Sequence, residues 1–263
     1  MTWTIRPRSE GPGGLYYWTE GAGPPIVLIH GVGLRAEAWG GIAPLLAKDF
    51  TVYAVDMPGH GASPLDRARS LSDYTARFSV FIDGLDAAPI VAGHSMGAFI
   101  ALDLATRGAN ALRAVAALNA VFERSDAAAS AVQARAKALD GGSGADPLAP
   151  LERWFGASPH GSVGAAAKAC RTWLTSVDPE GYAQAYRVFA HHDGPNRAAL
   201  AELQTPTLFL TGSQDPNSTP AMSHEMARLT PNGRAQIEAD AAHMAPMTHA
   251  PSIATAIRAL MTP

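Results

Sequence analysis

The chain has 263 residues, a formal net charge of −3 at pH 7, 47% hydrophobic residues and 16% charged residues. This length suits one large domain, or a domain with a modest insertion, and the balance of apolar and charged residues excludes general disorder. A slightly acidic chain without a basic run gives no binding patch for nucleic acid or for an anionic membrane, so we expect neither as a partner.

The only cysteine, Cys170, cannot form a disulfide within the chain, and its apolar, helix-like surroundings predict a buried structural thiol. The first residues lack the layout of a signal peptide, and no apolar run approaches the roughly 20 residues that a membrane helix needs. We therefore predict a cytoplasmic protein. The sequence does not determine the oligomeric state, and a homodimer is one state that it allows.

Short apolar segments alternate with helix-like segments in the first 120 residues. The continuous apolar run at 26–29 is typical of a strand covered on both faces. Strands are predicted at 2–6, 15–19, 26–29, 51–55, 89–92 and 112–118, and helices at 39–47, 72–85 (capped by Ser72) and 96–107. This rhythm predicts an α/β fold with a mostly parallel sheet and helices on both faces.

The rhythm stops between residues 121 and 200. This stretch is rich in alanine, contains Gly-Gly-Ser-Gly at 141–144, and holds aromatic residues that include Trp154, Phe155, Trp173, Tyr182, Tyr186 and Phe189. We predict that residues 121–200 form a helical cap inserted into a core made of residues 1–120 and 201–263. The core pattern resumes with strands at 207–211 and 235–238 and helices at 220–229 and from residue 251.

The segment Gly93-His94-Ser95-Met96-Gly97 has the pattern G-x-S-x-G between a predicted strand and a predicted helix. A sharp turn in this position holds a serine at positive φ and lifts its hydroxyl above the end of the sheet. The free N–H groups at the start of the helix face that hydroxyl. We predict Ser95 as a nucleophile; a glycine-rich turn with a surface serine is the alternative.

A serine nucleophile needs a base and an acid that orients the base. His243 and Asp215 each follow a predicted strand of the second half of the chain, and the carboxyl ends of parallel strands meet at one edge of a sheet. We therefore predict His243 as the base and Asp215 as the acid. His249 is the alternative base and Asp126 the alternative acid.

Three further positions near predicted strand ends have expected structural roles. Asn119 follows a strand, but an amide cannot serve as the charged partner of a histidine. His94 is expected to point away from the site because it is adjacent to Ser95, and His60 to hold loop backbone. For His191-His192, no carboxylate or cysteine lies at a matching spacing, so we predict no metal site.

The loop His30-Gly31-Val32-Gly33 follows the strand at 26–29, and its glycines let backbone approach a substrate. The N–H groups of Val32 and Met96 are the predicted donors of an oxyanion hole. Candidate substrate contacts are His30, Arg35, Trp39 and Trp154, although His30 also fits a buried structural role. Arginines that could hold a substrate carboxylate are Arg35, Arg124, Arg153 and Arg187.

Several spaced motifs, in one order, resemble those of the α/β-hydrolase superfamily. They are HGVG at 30–33, Trp39, DMPGHGAS at 56–63, GHSMGA at 93–98, LTGSQD at 210–215 and AAHMAPM at 241–247. The resemblance is to the capped, cofactor-independent group of esterases, enol-lactonases, carbon–carbon bond hydrolases and haloperoxidases. It implies an eight-stranded sheet with a helical cap, no cofactor, a triad of Ser95, Asp215 and His243, and an oxyanion hole at Val32 and Met96.

The leading hypothesis is hydrolysis of a small carboxylic ester or lactone through an acyl-enzyme on Ser95. The same triad also serves carbon–carbon bond hydrolases, amide hydrolases and perhydrolases, which use hydrogen peroxide in place of water. A protein of a different class, a ligand-binding receptor of this fold with little turnover, is the rival. A stoichiometric burst without steady turnover of an activated ester would favour the receptor.

Overall fold

The computed structural model describes residues 3–140, 146 and 148–261. These residues contain one eight-stranded sheet in the order β1-β2-β4-β3-β5-β6-β7-β8. The strands are β1 (Ser9–Gly11), β2 (Leu15–Glu20), β3 (Pro25–Ile29), β4 (Thr51–Val55), β5 (Ile90–His94), β6 (Ala114–Leu118), β7 (Thr207–Gly212) and β8 (Gly233–Glu238). The pairs β1–β2 and β2–β4 are antiparallel and all other neighbours are parallel, which confirms the predicted fold class.

Helices cover both faces of this sheet. They are α1 (Ala43–Leu46), α2 (Leu71–Asp83), α3 (Met96–Arg107), α4 (Asp126–Asp140), α5 (Pro150–Phe155), α6 (Gly161–Ser176), α7 (Pro179–Ala190), α8 (Arg197–Glu202), α9 (Pro220–Leu229), α10 (Ala245–Thr248) and α11 (Ala250–Arg258). Helices α2, α3 and α9 contribute to the buried cluster on one face, and α1 and α11 to the cluster on the other. None of the helices in the described ranges has the length and hydropathy of a membrane span.

The central strands are apolar because both of their faces are covered. Every residue of β5, β6 and β7 is buried. Burying one Val, Leu or Ile side chain contributes about 1.5–3 kcal/mol, so these strands anchor the sheet. Their carboxyl ends all lie at one edge, where the loops after β3, β5, β7 and β8 meet.

The strand predicted at residues 2–6 is wrong over its described part. Residues 3–8 are outside regular structure, and the first strand begins at Ser9. Side-chain hydrogen bonds, not backbone pairing in a sheet, hold residues 3–8 in place. Arg8 donates to Asp56 at 2.8 Å and to Glu37 at 2.6 Å. A buried ion cluster thus replaces the backbone pairing that the alternating residues suggested.

Two other local predictions need correction. The helix predicted at 39–47 is a 3₁₀ turn at Ala36–Trp39 followed by α1, because Gly40 and Gly41 between them disfavour a continuous helix. The cap of α2 is Ser70, not Ser72. The Ser70 hydroxyl accepts from the Asp73 N–H at 3.3 Å, and the Asp73 carboxylate accepts from the Ser70 N–H at 2.8 Å.

The predicted cap region holds α4 to α7, which pack on a third buried cluster with Leu34, Met244 and Met247 of the core. The boundary predicted at residue 200 falls inside α8, and α8 packs against α3 and α9 of the core. The chain therefore rejoins the core before Arg197. The Gly-Gly-Ser-Gly run at 141–144 lies outside the described residues.

Candidate active site

Ser95 occupies the turn between β5 and α3. Its backbone is at φ 56° and ψ −114°, a region that non-glycine residues rarely adopt. The turn brings α3 against the sheet so closely that a Cβ on Gly97 would lie 2.1 Å from the Ile29 carbonyl oxygen, and a Cβ on Gly93 2.0 Å from the Gly97 carbonyl oxygen. Glycine at both positions is therefore a steric requirement of the turn.

The structure brings Ser95, His243 and Asp215 into one hydrogen-bonded chain. The distance from Ser95 Oγ to His243 Nε2 is 3.2 Å, and the distance from His243 Nδ1 to Asp215 Oδ2 is 2.8 Å. His243 lies in the loop after β8 and Asp215 in the loop after β7, and all three residues are buried. In this arrangement the Nδ1–H of His243 donates to the carboxylate, so Nε2 is left to accept the serine proton.

The carboxylate of Asp215 is held ionised by its neighbours. Asn119 Nδ2 donates to Oδ2 at 2.8 Å, and the N–H groups of Asn217 and Ser218 donate to Oδ1 at 2.9 and 3.1 Å. Burial by itself would raise the pKa of Asp215, but the electrostatic interaction and hydrogen bond with His243, together with the hydrogen bonds from Asn119 and Asn217, lower it to about 2. Asp215 is therefore a carboxylate at any pH near neutrality.

Asn119 is a hydrogen-bond partner of Asp215 that the sequence pattern did not predict. An amide cannot serve as the charged partner of a histidine, but it can donate a hydrogen bond to the carboxylate that does. Asn119 is fully buried at φ 51°, a conformation that asparagine tolerates better than most residues. Its position directly after β6, next to β7, was the signal that could have revealed it.

The expectation that His94 points away from the site is wrong. His94 lines the same cavity as Ser95, and its Nε2–H donates to the His243 carbonyl at 2.8 Å. Side chains alternate only along a regular strand, and the positive φ of Ser95 breaks that alternation directly after His94. His94 thus supports the backbone of His243.

The loop between β3 and the 3₁₀ turn at Ala36–Trp39 passes directly over Ser95. A Cβ on Gly31 would lie 3.2 Å from Ser95 Cβ, and Val32 lines the cavity beside Ser95. Within the described ranges, neither the Val32 N–H nor the Met96 N–H donates a hydrogen bond to another group. Two unpaired donors near a nucleophile are what an oxyanion hole requires.

A cavity of about 340 Å³ opens above Ser95 and His243, between the sheet edge and the cap. The Trp154 ring from α5 stacks on the His243 ring at 6.1 Å and 27°. The lining residues are Gly31, Val32, Leu34, His94, Ser95, Arg124, Ser125, Ala128, Ala131, Val132, Pro150, Arg153, Trp154, Tyr182, Tyr186, Phe189, Pro216, Asn217, Thr219, Met222 and His243. This wall is largely apolar and aromatic, and its formally charged residues are two arginines and no carboxylate.

A model of the Alpha/beta hydrolase family matches residues 26–256. This chain belongs to the α/β-hydrolase family. The match spans β3 to α11 and confirms the family that the motifs predicted.

Individual relatives of this α/β hydrolase have different substrates in their names. It is 37% identical over 246 residues to the (E)-2-((N-methylformamido)methylene)succinate hydrolase of Acinetobacter baylyi, covering 93% of this chain and 92% of that protein. It is 31% identical over 211 residues to a pimeloyl-[acyl-carrier protein] methyl ester esterase of Chromobacterium violaceum, covering 76% and 80%. The enol-lactonase of Burkholderia xenovorans is similar with a TM-score of 0.82 at 25% identity, covering 98% of this chain and 100% of that one.

Three predicted substrate contacts of this α/β hydrolase are wrong, because their side chains do not line the cavity. His30 is fully buried with both ring nitrogens bonded to backbone groups. Trp39 is buried in the cluster on the α1 side of the sheet, and Arg35 donates to Glu37 at 2.8 Å. The fourth predicted contact, Trp154, does line the cavity.

The alternative catalytic residues lie elsewhere. The ring of His249 contacts the Thr248 hydroxyl at 2.8 Å, and Asp126 is exposed at the start of α4. Cys170 is buried in the cap with its sulfur 3.5 Å from that of Met247, and burial raises the pKa of its thiol. In the described part of this α/β hydrolase, no group of three or more His, Cys, Asp or Glu side chains is placed to hold a metal ion.

Buried neutral histidines predict loss of stability in acid. Burial lowers the pKa of His30 and of His94 to about 3, whereas an unfolded histidine has a pKa near 6.5. Unfolding therefore takes up protons between about pH 6.5 and 3, and stability falls as the pH falls through this window. At pH 5 each of these residues should lower the free energy of unfolding by about 2 kcal/mol relative to neutral pH.

Urea unfolding of wild type and of His94→Gln at pH 7.5 and 5.0 measures this effect. The variant should lose less stability between the two pH values than the wild type does. His224→Gln, an exposed histidine of α9, is the matched control and should show the wild-type difference. Equal losses in wild type and His94→Gln would contradict the assignment of His94 as a buried neutral group.

Proposed function

We propose that this α/β hydrolase cleaves an acyl bond of a small, carboxylate-bearing substrate through an acyl-enzyme on Ser95. The observation that carries the proposal is the hydrogen-bonded chain from Ser95 Oγ through His243 to Asp215, with distances of 3.2 and 2.8 Å. His243 takes the serine proton as the hydroxyl attacks the carbonyl carbon and returns it to the leaving group. Water then attacks the acyl-enzyme with the same base, which releases the acid and restores Ser95.

The oxyanion formed in both steps would be bound by the N–H groups of Val32 and Met96. Removing one such donor costs about 3 kcal/mol of transition-state stabilisation in a comparable hydrolase. Asp215 supports both steps by remaining a carboxylate beside the imidazolium that His243 becomes. It holds the ring in position and balances its charge.

The cavity supports a small anionic substrate. Its volume of about 340 Å³ is at the lower end of the range of about 300–1,000 Å³ that is common for ligand sites. Arg124 is largely committed, because it donates to the carbonyl groups of Phe189 and His192 and to Asp193. Arg153 lines the cavity from α5, is exposed, and makes no ion pair or hydrogen bond with the described residues. We therefore infer that Arg153 is the guanidinium that binds a substrate carboxylate.

Ester or lactone hydrolysis is the leading reaction, and the matches to a methyl ester esterase and to an enol-lactonase support it. A second candidate is an N-acyl bond on a dicarboxylic acid. The match to the Acinetobacter baylyi hydrolase, which covers 92% of that protein, favours this second candidate. The named substrate of that hydrolase is an N-methylformamido derivative of methylenesuccinate. Arg153, on the cavity wall, can bind one carboxylate of such a substrate.

Mass spectrometry after treatment with a fluorophosphonate probe tests the nucleophile. The expected result is one adduct, on Ser95, that is absent in Ser95→Ala. An unmodified Ser95 in active protein, or an adduct on another serine, would refute the proposal. Steady turnover of a panel of simple esters, enol-lactones and N-acyl dicarboxylates then separates the two reactions, and a burst without turnover on the whole panel would favour the receptor.

Replacing Arg153 should affect only substrates that carry a carboxylate. A hydrogen-bonded ion pair contributes about 1.5–3 kcal/mol, so Arg153→Gln should raise KM for such a substrate by about 10- to 100-fold. KM for a neutral ester of similar size should not change. Arg171→Gln, an exposed arginine of α6 outside the cavity wall, is the matched control. An equal rise in KM for neutral and anionic substrates would exclude a role in charge recognition.

A further inference from the structure

Two buried histidines exchange hydrogen bonds between the loops after β3 and β4. His30, in the first loop, accepts the N–H of Met57 at Nε2 over 3.0 Å. His60, in the second loop, accepts the N–H of Gly33 at Nε2 over 2.9 Å. Each loop thus provides one imidazole and one amide to the other, and the ring centroids are 5.4 Å apart.

The partners of the other ring nitrogens define the tautomers. The Nδ1 of His30 lies 2.8 Å from the Gly31 carbonyl oxygen, and the Nδ1 of His60 lies 3.2 Å from the Pro58 carbonyl oxygen. A carbonyl can only accept, so Nδ1 carries the proton in both rings and Nε2 is free to accept. Both histidines are buried, and burial lowers the pKa of each, so both rings are neutral at physiological pH.

Two of these hydrogen bonds, one from His30 and one to His60, hold the peptide groups on either side of Val32. The Gly31 carbonyl, which accepts from His30 Nδ1, belongs to the same planar peptide group as the Val32 N–H. A carbonyl and an N–H of one trans peptide point in opposite directions, so binding the carbonyl fixes the direction of the Val32 N–H. The Gly33 N–H, bound by His60, belongs to the next peptide group.

We propose that His30 and His60 are positioning residues that hold the Val32 N–H in the oxyanion hole; this inference rests on the proposed function. Neither ring lines the cavity, so both act through the loop backbone and do not touch substrate. Gly33 needs the second contact, because its φ of +77° is a conformation that a flexible glycine easily leaves. Without the His60 contact, the Val32–Gly33 peptide group can rotate, so the Val32 N–H is held from the Gly31 side only, while the cavity walls remain in place.

This role predicts a specific kinetic pattern for His60 variants. His60→Leu removes the acceptor, and His60→Gln restores one, because the Gln side-chain oxygen reaches a position similar to that of Nε2. We expect His60→Leu to lower kcat by about 10- to 100-fold, since removal of a whole hole donor costs about 10²–10³. KM should stay near the wild-type value, and His60→Gln should recover most of kcat. His224→Gln, on the surface of α9, is the matched control.

A second measurement does not depend on turnover. In the Ser95→Ala background, amide hydrogen exchange should show a protected Gly33 N–H, and His60→Leu should remove that protection while His60→Gln keeps it. If His60→Leu does not fold, the comparison of His60→Gln with His60→Asn, which cannot reach the same position, takes its place.

The outcomes separate the two proposals. Wild-type protein without a fluorophosphonate adduct on Ser95 would refute the proposed function, whatever the His60 variants do. Labelled, active wild type with a His60→Leu variant of unchanged kcat would refute only the positioning role. A rise in KM at constant kcat, or equal loss of kcat in the Leu and Gln variants, would also overturn it, because a fixed oxyanion donor acts on the transition state.

Discussion

Ser95→Ala is expected to lower kcat by about 10⁶-fold, the loss seen when a serine nucleophile is removed from a complete triad. The reason is that no other hydroxyl is hydrogen-bonded to His243 Nε2 in the described ranges. The fold should be unaffected, because a Cβ is retained at the strained turn and only one oxygen is lost. Steady-state turnover of an activated ester, with circular dichroism of the same sample, is the measurement.

Two comparisons make this result decisive. Ser72→Ala changes an exposed serine of α2 and should retain wild-type kcat. Ser95→Cys keeps a nucleophile on the same turn and should still accept an acyl group. Residual turnover of Ser95→Ala above about one-thousandth of wild type, with no labelled contaminant, would show that another group performs the attack.

Asp215→Asn should lower kcat by about 10⁴-fold with little change in KM. The amide has no charge to balance the imidazolium of His243, and its NH₂ group can turn toward Nδ1, which favours the wrong tautomer. Asn119 adds to the effect, because its Nδ2–H now faces an amide where it bound a carboxylate at 2.8 Å. The measurement is kcat and KM on one ester at several pH values.

The control for Asp215 is the other candidate acid. Asp126→Asn changes an exposed residue at the start of α4 and should leave kcat unchanged. A large loss in Asp126→Asn together with a small one in Asp215→Asn would mean that the hydrogen-bonded chain seen here is not the working one. Equal small losses would mean that His243 needs no acid.

The features of this molecule that the sequence predicts well are those determined by local backbone conformation. The turn at Ser95 has a steric signature, since Gly93 and Gly97 must lack side chains, and that signature is visible in five residues. The parallel order of strands then places the residues after β7 and β8 beside the turn. His243 and Asp215 could therefore be named from their position after predicted strands.

The remaining part depends on contacts between side chains distant in sequence. Asn119 and Asp215 are 96 positions apart, and His94 and the carbonyl of His243 are 149 apart. Closeness in sequence to a motif also led to wrong predictions. Arg35 and Trp39 lie near the HGVG loop in sequence, but Arg35 hydrogen-bonds to Glu37 and Trp39 packs in the core, so neither lines the cavity. Hydrogen-bond partners that are distant in sequence are set by tertiary packing, and a single sequence does not show which side chains packing brings together.

His243 is positioned by the strand at one margin of the sheet. β8 pairs with a single neighbour, β7, and the loop that follows β8 carries His243. Outermost strands detach more readily than central ones, and partial opening of a protein begins in such regions. Opening of the β7–β8 pairing would separate His243 from Ser95 while β3, β5 and β6 stay paired, so breaking the hydrogen-bonded chain would not require unfolding of the central strands.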